Sequence, residues 1–445
     1  MTQNLASSLP DAGWDARILS GSLSIPGRPG DARAFYRGLD VVPFDMTAAL
    51  DAPDPMLAPT PLHPSYEDRP GAKDRIMCGL DDVAYQHQVG AWARALQEAG
   101  AADFDVLHLH HLTPLHEAAA LVAPDVPVVG HLHGTELLML EHAQDHEWPH
   151  AQEWIARMRG WAQRCEALIV LSDSQVERAE HLLGIDPDRC TRIPNGFDPA
   201  IFRPDRVDPV AFWRRHLVDA PQGWTPDGEA GSIAYGDADL AAFADGNPVL
   251  LYVGRFTDVK RVPLLIEAYA RAREGFARRA PLVILGGYPG EWEGEHPADA
   301  IARTGAEDVF LAGWHGHDEL PGFFAASDAV VLPSVREQFG QVLVEGMACG
   351  LPSIAVDAHG PGEIVDHGRT GWLVEPDDRA GLTNALVEAV NRPVERERRG
   401  RAAYEDVRAR YAWPALAEEV AAVYESACGS ATGTGSPLVE WTPST

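Results

Sequence analysis

The chain has 445 residues, of which 45% are hydrophobic and 23% are charged. A single hydrophobic core rarely grows to this size, so the length predicts two globular domains. The formal net charge of −30 excludes a generally basic surface, and it argues against nucleic acid and anionic membranes as partners because both would repel the protein.

Cysteine usage and hydropathy indicate the compartment. The five cysteines form no CxxC pair and no metal-ligand spacing, so we expect free thiols in a reducing environment. No apolar run reaches the roughly 18 residues of a membrane span, and the first residues lack the basic-then-apolar pattern of a signal peptide. These features predict a cytoplasmic protein with at most peripheral membrane contact.

The first half of the chain shows an alternation of strand and helix patterns. Residues 1–10 are typical of a helix end and residues 16–20 of a strand, whereas residues 26–75 are rich in Pro, Gly and Asp. From residue 85 the alternation is regular, with predicted helices and strands at 85–99, 104–109, 126–129, 153–165 and 167–171. Repeated strand–helix units predict an α/β architecture with parallel sheets covered by helices on both faces.

A second strand–helix series begins after an acidic stretch. Residues 205–247 contain Gly and Pro and one helical piece, and we interpret them as a linker with an insertion. The next predicted strands occupy residues 249–253, 282–285, 309–311, 329–332 and 352–355. From residue 429 the composition is rich in Gly, Ser, Thr and Pro, which predicts a disordered tail.

The segment that follows the strand at 329–332 is the most informative part of the chain. Glu337 precedes a glycine turn at Gly340, and Glu345 lies more than one turn into the predicted helix that follows. A helix that starts near Gly340 directs its free amides at an anion such as phosphate. A phosphate with a carboxylate on each side suits a nucleotide sugar, with one carboxylate for sugar hydroxyls and the other for ribose hydroxyls. The alternative interpretation is a solvated acid pair on an ordinary loop.

A basic turn follows the strand at 249–253. It contains Gly254, Arg255 and Lys260, and the chain has only one other lysine, Lys73. A departing diphosphate concentrates negative charge, which an arginine fork and a compact ammonium group can neutralise. The alternative is a solvated basic turn without a ligand.

These segments resemble the motifs of retaining glycosyltransferases of family 4, which have the GT-B fold. The resemblance extends from about residue 105 to about residue 424 and is strongest between 249 and 374. It implies two Rossmann-like, doubly wound parallel-sheet domains that face a cleft, with a C-terminal helix that returns to the first domain. The implied limits are an acceptor-side domain at 1–204, a linker or insertion at 205–247, a nucleotide-sugar domain at 248–407, a returning helix at 408–428 and a tail at 429–445.

The resemblance also implies an activity, which is transfer of a sugar from a nucleoside-diphosphate sugar to an acceptor hydroxyl without a metal cofactor. The acceptor would be a glycan, a glycolipid or a small molecule. By this resemblance Arg255 and Lys260 bind the diphosphate, Glu337 positions the sugar and Glu345 binds the ribose. The predicted donor site is completed by Gly254, Phe339, Gly340 and Gln341.

Several histidines follow strands of the first domain. The segment His131-Leu132-His133-Gly134-Thr135-Glu136 is similar to a cleft segment of the family, which places His133 near the reacting sugar. His108 and His110 share one face of a strand and have the spacing of two metal ligands. Because such histidines recur in the family, whose members generally need no metal, we predict no metal site.

Departures from the family pattern keep alternatives open. The family's first strand and its glycine-rich loop are not found, and the pattern begins inside the first helix. A non-catalytic nucleotide-sugar-binding or scaffold subunit and a GT-B phosphorylase therefore remain alternatives. Gln338 and Gln341 differ from the usual residues beside the donor sugar, so the sugar itself is not predicted. No GxGxxG follows a strand, which disfavours a dehydrogenase.

Overall fold

The computed structural model describes residues 2–25, 30–68, 72–145, 147–244 and 246–431. These residues divide into two compact units. The first combines the described parts of Met1–Pro194 and Pro414–Thr445, and the second is Asn195–Trp413. The first unit therefore ends before residue 204, and residues 205–247 belong to the second.

The first unit contains two parallel sheets and their helices. Its elements are α1 (Thr2–Ser8), β1 (Arg17–Ser22), α2 (Ala32–Phe35), β2 (Asp40–Asp45), α3 (Asp82–Ala99), β3 (Leu107–His110), α4 (Leu115–Val122), β4 (Val128–His131), α5 (Thr135–Asp145), α6 (Ala151–Arg164), β5 (Ala167–Val170), α7 (Asp173–Leu183) and β6 (Cys190–Arg192). One sheet is β1–β2 and the other has the order β3–β4–β5–β6. A cavity of about 410 Å³ is lined by residues of both β1 and β3.

Local sequence explains the boundaries of α3. The Asp81 carboxylate accepts a hydrogen bond from the Ala84 amide and caps the first turn, so the helix begins three residues before the predicted 85. Gly100 ends the helix in the left-handed conformation, with φ of 75°. The buried face carries Val89 and Trp92, in agreement with the helical spacing in the sequence.

The second unit is a six-stranded sheet with helices. Its elements are α8 (Pro209–Arg214), β7 (Leu250–Val253), α9 (Val262–Ala272), β8 (Leu282–Leu285), α10 (Pro297–Thr304), β9 (Val309–Gly313), α11 (Leu320–Ala325), β10 (Ala329–Leu332), α12 (Gln341–Ala348), β11 (Ser353–Val356), α13 (His359–Ile364), β12 (Gly371–Val374), α14 (Arg379–Asn391) and α15 (Pro393–Arg410). The last helix within the described residues is α16 (Trp413–Ala431).

The strand order of this sheet is β12–β11–β10–β7–β8–β9, and every neighbouring pair is parallel. The chain therefore builds outward from β7 in one direction and then restarts beside it with β10. The strands are buried on both faces, as their continuous Val, Leu and Ile runs require. In such sheets, ligands bind beyond the carboxyl ends of the strands where the order reverses.

The segment 205–247 packs against this sheet. Trp213 is fully buried, and its indole N–H donates to the Ala326 carbonyl at 3.2 Å. Trp224 is also buried and donates to the Gly287 carbonyl at 3.3 Å. The two indoles attach the segment to the second unit.

The C-terminal helix α16 follows the second unit, and its residues from Pro414 onward are grouped with the first unit. The returning helix was expected at 408–428, whereas residues 408–410 end α15 in the second unit and α16 begins at Trp413. The predicted tail begins at residue 429, but α16 continues to Ala431 and residues 432–445 lie outside the described residues. No helix within the described ranges is both long and apolar enough to span a bilayer.

Candidate active site

The two central strands of the second sheet bring the basic turn and the first glutamate together. β7 and β10 are neighbours, so the loops that follow them leave the sheet side by side. The Val335 amide donates to the Val259 carbonyl at 3.0 Å and the Ser334 hydroxyl donates to the same oxygen at 3.2 Å. At this point the ammonium group of Lys260 contacts the carboxylate of Glu337. Both predicted residues therefore lie at the point where the strand order reverses.

The Lys260–Glu337 ion pair is mostly shielded from water. The side chain of Lys260 is 15% exposed and that of Glu337 is 19% exposed. A pair at this depth keeps more of its Coulomb attraction than a surface pair does. Each group holds the other in place beside the end of β10.

Arg255 lies on the same turn as Lys260 and is exposed. Its carbonyl accepts a hydrogen bond from the Tyr252 hydroxyl at 2.8 Å, which fixes the backbone of the turn. A Cβ on Gly254 would lie 2.7 Å from that hydroxyl, so the turn needs a glycine at this position. The guanidinium group is left at the surface.

The N-terminus of α12 is open, as the sequence predicted. Gly340 precedes the helix with φ of 102°, a conformation that other residues rarely adopt. No side chain caps the first turn, so the leading amides and the positive end of the helix dipole remain available to an anion. The ring of Phe339 is buried against Tyr411, with ring centroids 5.9 Å apart, and shapes the loop from below.

Glu345 lies on the second turn of α12 and is almost fully buried. Its Oε1 atom accepts a hydrogen bond from the Gln341 amide at 3.0 Å and is 2.9 Å from the Nε2 atom of His317. The hydrogen bond to Glu345 raises the pKa of His317 above its usual value. His317 follows β9 and was not singled out as a site residue, although it stands at the carboxyl end of a strand.

Two exposed aromatic rings stand near the same edge of the sheet. Trp314 follows β9 and is 49% exposed, and its ring meets that of Tyr288 edge to face with centroids 6.1 Å apart. Tyr288 follows β8 and was missed from the sequence, since a single tyrosine after two glycines carries no signal of its own. Trp314 therefore lies at the surface and not in the core.

The first unit contains a stack of histidines at the ends of β3 and β4. The rings of His108 and His131 are nearly parallel, and so are those of His131 and His133. The Nε2 atom of His108 is 3.1 Å from Nδ1 of His131, and Nδ1 of His110 is 3.0 Å from Nε2 of His133. Burial lowers the pKa of all four imidazoles, in the case of His108 to about 4, so the stack is neutral at pH 7.

Glu136 fixes the backbone at His133. It is fully buried, its Oε1 accepts from the His133 amide at 2.9 Å, and its Oε2 is 3.3 Å from Nδ1 of His111. Burial acts to raise the pKa of Glu136, but the attraction and hydrogen bond of His111, with backbone donors, lower it overall. The structure thus holds His133 in a defined place within the first unit.

Three of these histidines satisfy a basic distance requirement for a shared ion. The potential ligand atoms of His108, His110 and His131 lie within 4.8 Å of one another. Their rings are stacked, however. Nε2 of His108 is paired with Nδ1 of His131, and Nδ1 of His110 is paired with Nε2 of His133. The arrangement has the geometry of a hydrogen-bonded stack.

The chain is similar to known proteins in sequence and in structure. Two family models match: Glycosyltransferase Family 4 over residues 1–201 and Glycosyl transferases group 1 over residues 240–406. A D-inositol 3-phosphate glycosyltransferase of Stackebrandtia nassauensis is 29% identical over 364 residues, which is 78% of this chain and 75% of that protein. A glycogen synthase of Mycobacterium tuberculosis is 28% identical over 332 residues, covering 73% and 69%.

Solved structures share the fold. Sucrose-phosphate synthase from Thermosynechococcus elongatus aligns with a TM-score of 0.64 at 19% identity, covering 96% of this chain and 93% of the other. HepE of Anabaena, in complex with UDP and glucose, aligns with a TM-score of 0.64 at 18% identity, covering 96% and 95%. With all three sheets of the described residues parallel and both family models matched, the chain belongs to the group 1 glycosyltransferases of the family 4 type, which have the GT-B fold.

Proposed function

We propose that this glycosyltransferase moves a sugar from a nucleoside-diphosphate sugar to an acceptor hydroxyl with retention at the anomeric carbon. The observation that carries the proposal is the shielded Lys260–Glu337 pair beside the uncapped N-terminus of α12. A cation, a helix dipole and a carboxylate then surround one small region at the reversal of the strand order. A sugar diphosphate presents groups that complement all three.

The diphosphate is the leaving group, and negative charge builds on it as the sugar bond breaks. Lys260, Arg255 and the first amides of α12 would stabilise that charge in place, and no reorganisation would be needed at the moment of reaction. The protein has a net charge of −30 and only two lysines, so a cation at this point is a local exception to its acidic composition. For the same reason we propose that the reaction needs no metal, since these groups supply the positive charge.

Glu337 would bind hydroxyl groups of the transferred sugar. A carboxylate that is paired with an ammonium group still accepts hydrogen bonds, but it is a weaker nucleophile because part of its charge is neutralised. We therefore favour attack by the acceptor from the side of the departing phosphate, which takes up the acceptor proton, over a covalent intermediate on Glu337. Glu345 would bind the ribose of the donor. We also propose His133 as a catalytic residue.

A structural relative indicates which donor to test first. HepE of Anabaena has been solved with UDP and with UDP-glucose, so a uridine nucleotide is the first donor to test. The acceptor would be the hydroxyl of a glycan, a glycolipid or a small molecule.

A cytoplasmic location is also part of the proposal. The five cysteines are all unpaired, and three of them are buried. Burial raises the pKa of the Cys165 thiol to about 12 and that of Cys78 to about 11, which keeps both protonated and unreactive. Buried free thiols suit a reducing compartment.

The test is sugar transfer to water, which requires no knowledge of the acceptor. Purified protein would be incubated with UDP-glucose and related donors, and released sugar and nucleotide would be measured with and without EDTA. We expect slow release that EDTA leaves unchanged, with the released sugar first appearing in the anomeric configuration of the donor. Inverted product would refute retention, and release of sugar 1-phosphate only when phosphate is added would indicate a phosphorylase instead.

A further inference from the structure

The carboxylate of Glu345 is held through one of its two oxygens. Both side-chain contacts, from Gln341 at 3.0 Å and from His317 at 2.9 Å, are made to Oε1. Within the described residues no side chain donates to Oε2. A carboxylate oxygen accepts about two hydrogen bonds, so the protein saturates Oε1 and leaves the two lone pairs of Oε2 for another molecule.

The two donors are themselves fixed. Gln341 lies one turn before Glu345 on the same face of α12, and its amide nitrogen also donates to the Gly196 carbonyl at 3.0 Å. The imidazole of His317 packs against the buried ring of Phe202, with centroids 5.2 Å apart. Neither side chain can leave Oε1 without giving up a second contact.

We infer that His317 and Gln341 are positioning residues that orient Glu345 so that its Oε2 atom receives both vicinal hydroxyls of the donor ribose. This inference rests on the proposed function, in which Glu345 binds the ribose. The two free lone pairs of Oε2 can accept hydrogen bonds from two neighbouring hydroxyls. The donors on Oε1 prevent the carboxylate from rotating, so Oε2 keeps the orientation that these hydrogen bonds require. Neither residue touches the reacting atoms.

The arrangement has a consequence for specificity. A ribose that lacks the 2′-hydroxyl leaves one lone pair of a buried carboxylate unsatisfied, which is costly because water cannot replace it. The site should therefore distinguish ribonucleotides from 2′-deoxyribonucleotides. It should do so only while Oε1 is held.

Gln341 takes on a different role from the one expected of it. The sequence suggested that its side chain lies beside the donor sugar, at a position where relatives often have an apolar residue. Its amide is instead hydrogen-bonded to Glu345 and to the Gly196 carbonyl. The departure from the usual residue would thus affect recognition of the ribose.

The experiment is calorimetric titration of the full chain with three probes: UDP, 2′-deoxy-UDP and pyrophosphate. The proteins are the wild type, Gln341→Leu, His317→Ala and His317→Gln, and GDP and ADP with their deoxy forms replace UDP if the base differs. We expect the wild type to bind UDP about 10- to 100-fold more tightly than 2′-deoxy-UDP, the range set by one unsatisfied buried group. Gln341→Leu and His317→Ala should reduce that ratio to within about 3-fold while pyrophosphate affinity is kept.

Two proteins separate positioning from general damage. His317→Gln replaces the imidazole N–H with an amide N–H donor and should retain most of the ratio between the UDP and 2′-deoxy-UDP affinities. Asp318→Asn changes the charge of the exposed neighbouring residue and should leave this ratio unchanged. A wild type that binds UDP and 2′-deoxy-UDP equally would overturn the inference and the assignment of Glu345 to the ribose, and would leave the proposed sugar transfer standing. Variants that keep the full ratio, or that lose all three probes to the same extent, would also overturn the inference. A wild type that binds no nucleoside diphosphate would instead refute the proposed function.

Discussion

Replacing Lys260 by alanine removes the cation that we assign to the departing diphosphate. The loss of one preorganised transition-state donor costs about 2.7–4 kcal/mol, which corresponds to a decrease in turnover of about 100- to 1,000-fold. The ammonium group is 15% exposed and lies against Glu337, so bulk water would not readily take its place. The variant also leaves Glu337 partly buried without its partner, which adds electrostatic repulsion of the phosphates. We therefore expect a decrease of at least about 100-fold.

The assay measures the initial rate of donor hydrolysis at saturating UDP-sugar, and the rate is monitored through the release of UDP. Lys73→Ala is the matched control, because it removes the only other lysine, from the first unit. The Lys73 variant should retain wild-type turnover, and a thermal unfolding curve should show that the Lys260 variant is folded. A folded Lys260 variant with near-normal turnover would refute the assignment of the diphosphate site.

Four further predictions concern single residues. Glu337→Gln should lower turnover at least about 100-fold, with folding unchanged, because the sugar loses a charged acceptor; an active variant in the hydrolysis assay would contradict this. Gly340→Ala should lower the free energy of unfolding by about 1–3 kcal/mol in urea denaturation, since φ is 102° and the added Cβ would lie 3.3 Å from Cδ1 of Leu343. The hydrogen bond to Glu345 raises the pKa of His317, so protonated His317 stabilises the fold fully below pH 6.5, and this stabilisation is lost as pH rises through the folded pKa. Because the side chain is 60% exposed, the loss should stay below about 1 kcal/mol. His317→Gln should reduce this pH dependence of the free energy of unfolding, as measured by urea denaturation across that range. Burial lowers the pKa of His108 from 6.5 to about 4, so the free energy of unfolding of the wild type should decrease as pH falls through that interval. In urea denaturation at pH 4 to 6.5, His108→Gln should show a smaller decrease.

The elements of the candidate site could be predicted because their signals are local. The apolar strand at Ala329–Leu332, the glycine turn and the following helix form one continuous pattern, and α12 begins at Gln341 as expected. The turn with Arg255 and Lys260 is likewise a short segment after an apolar strand. Local patterns therefore predicted the strand, turn and helix elements that carry both halves of the candidate site.

Local patterns could not predict that the turn with Lys260 and the segment with Glu337 come into contact. Lys260 and Glu337 are separated by 77 positions, and they touch because β10 pairs with β7 and not with the strand before it. Strand order depends on long-range packing, which hydrophobic periodicity does not report. The hydrogen bond of Gln341 to Gly196 could not be predicted for a related reason, since the two residues lie 145 positions apart.

The packing of residues 205–247 could not be predicted from the sequence either. Two buried tryptophans hold the segment against the second unit. Trp213 lies in the helical piece that the sequence predicted, but that pattern did not show which surface the helix packs against. The acidic composition of the stretch, with its glycines and prolines, suggested a linker.

The most direct test of the central claim is calorimetric titration of the purified protein with UDP, GDP and ADP, repeated with Lys260→Ala. The proposed function predicts micromolar binding of one nucleoside diphosphate and its loss in the variant. Absence of binding to all three nucleotides, or equal binding by the variant, would contradict it.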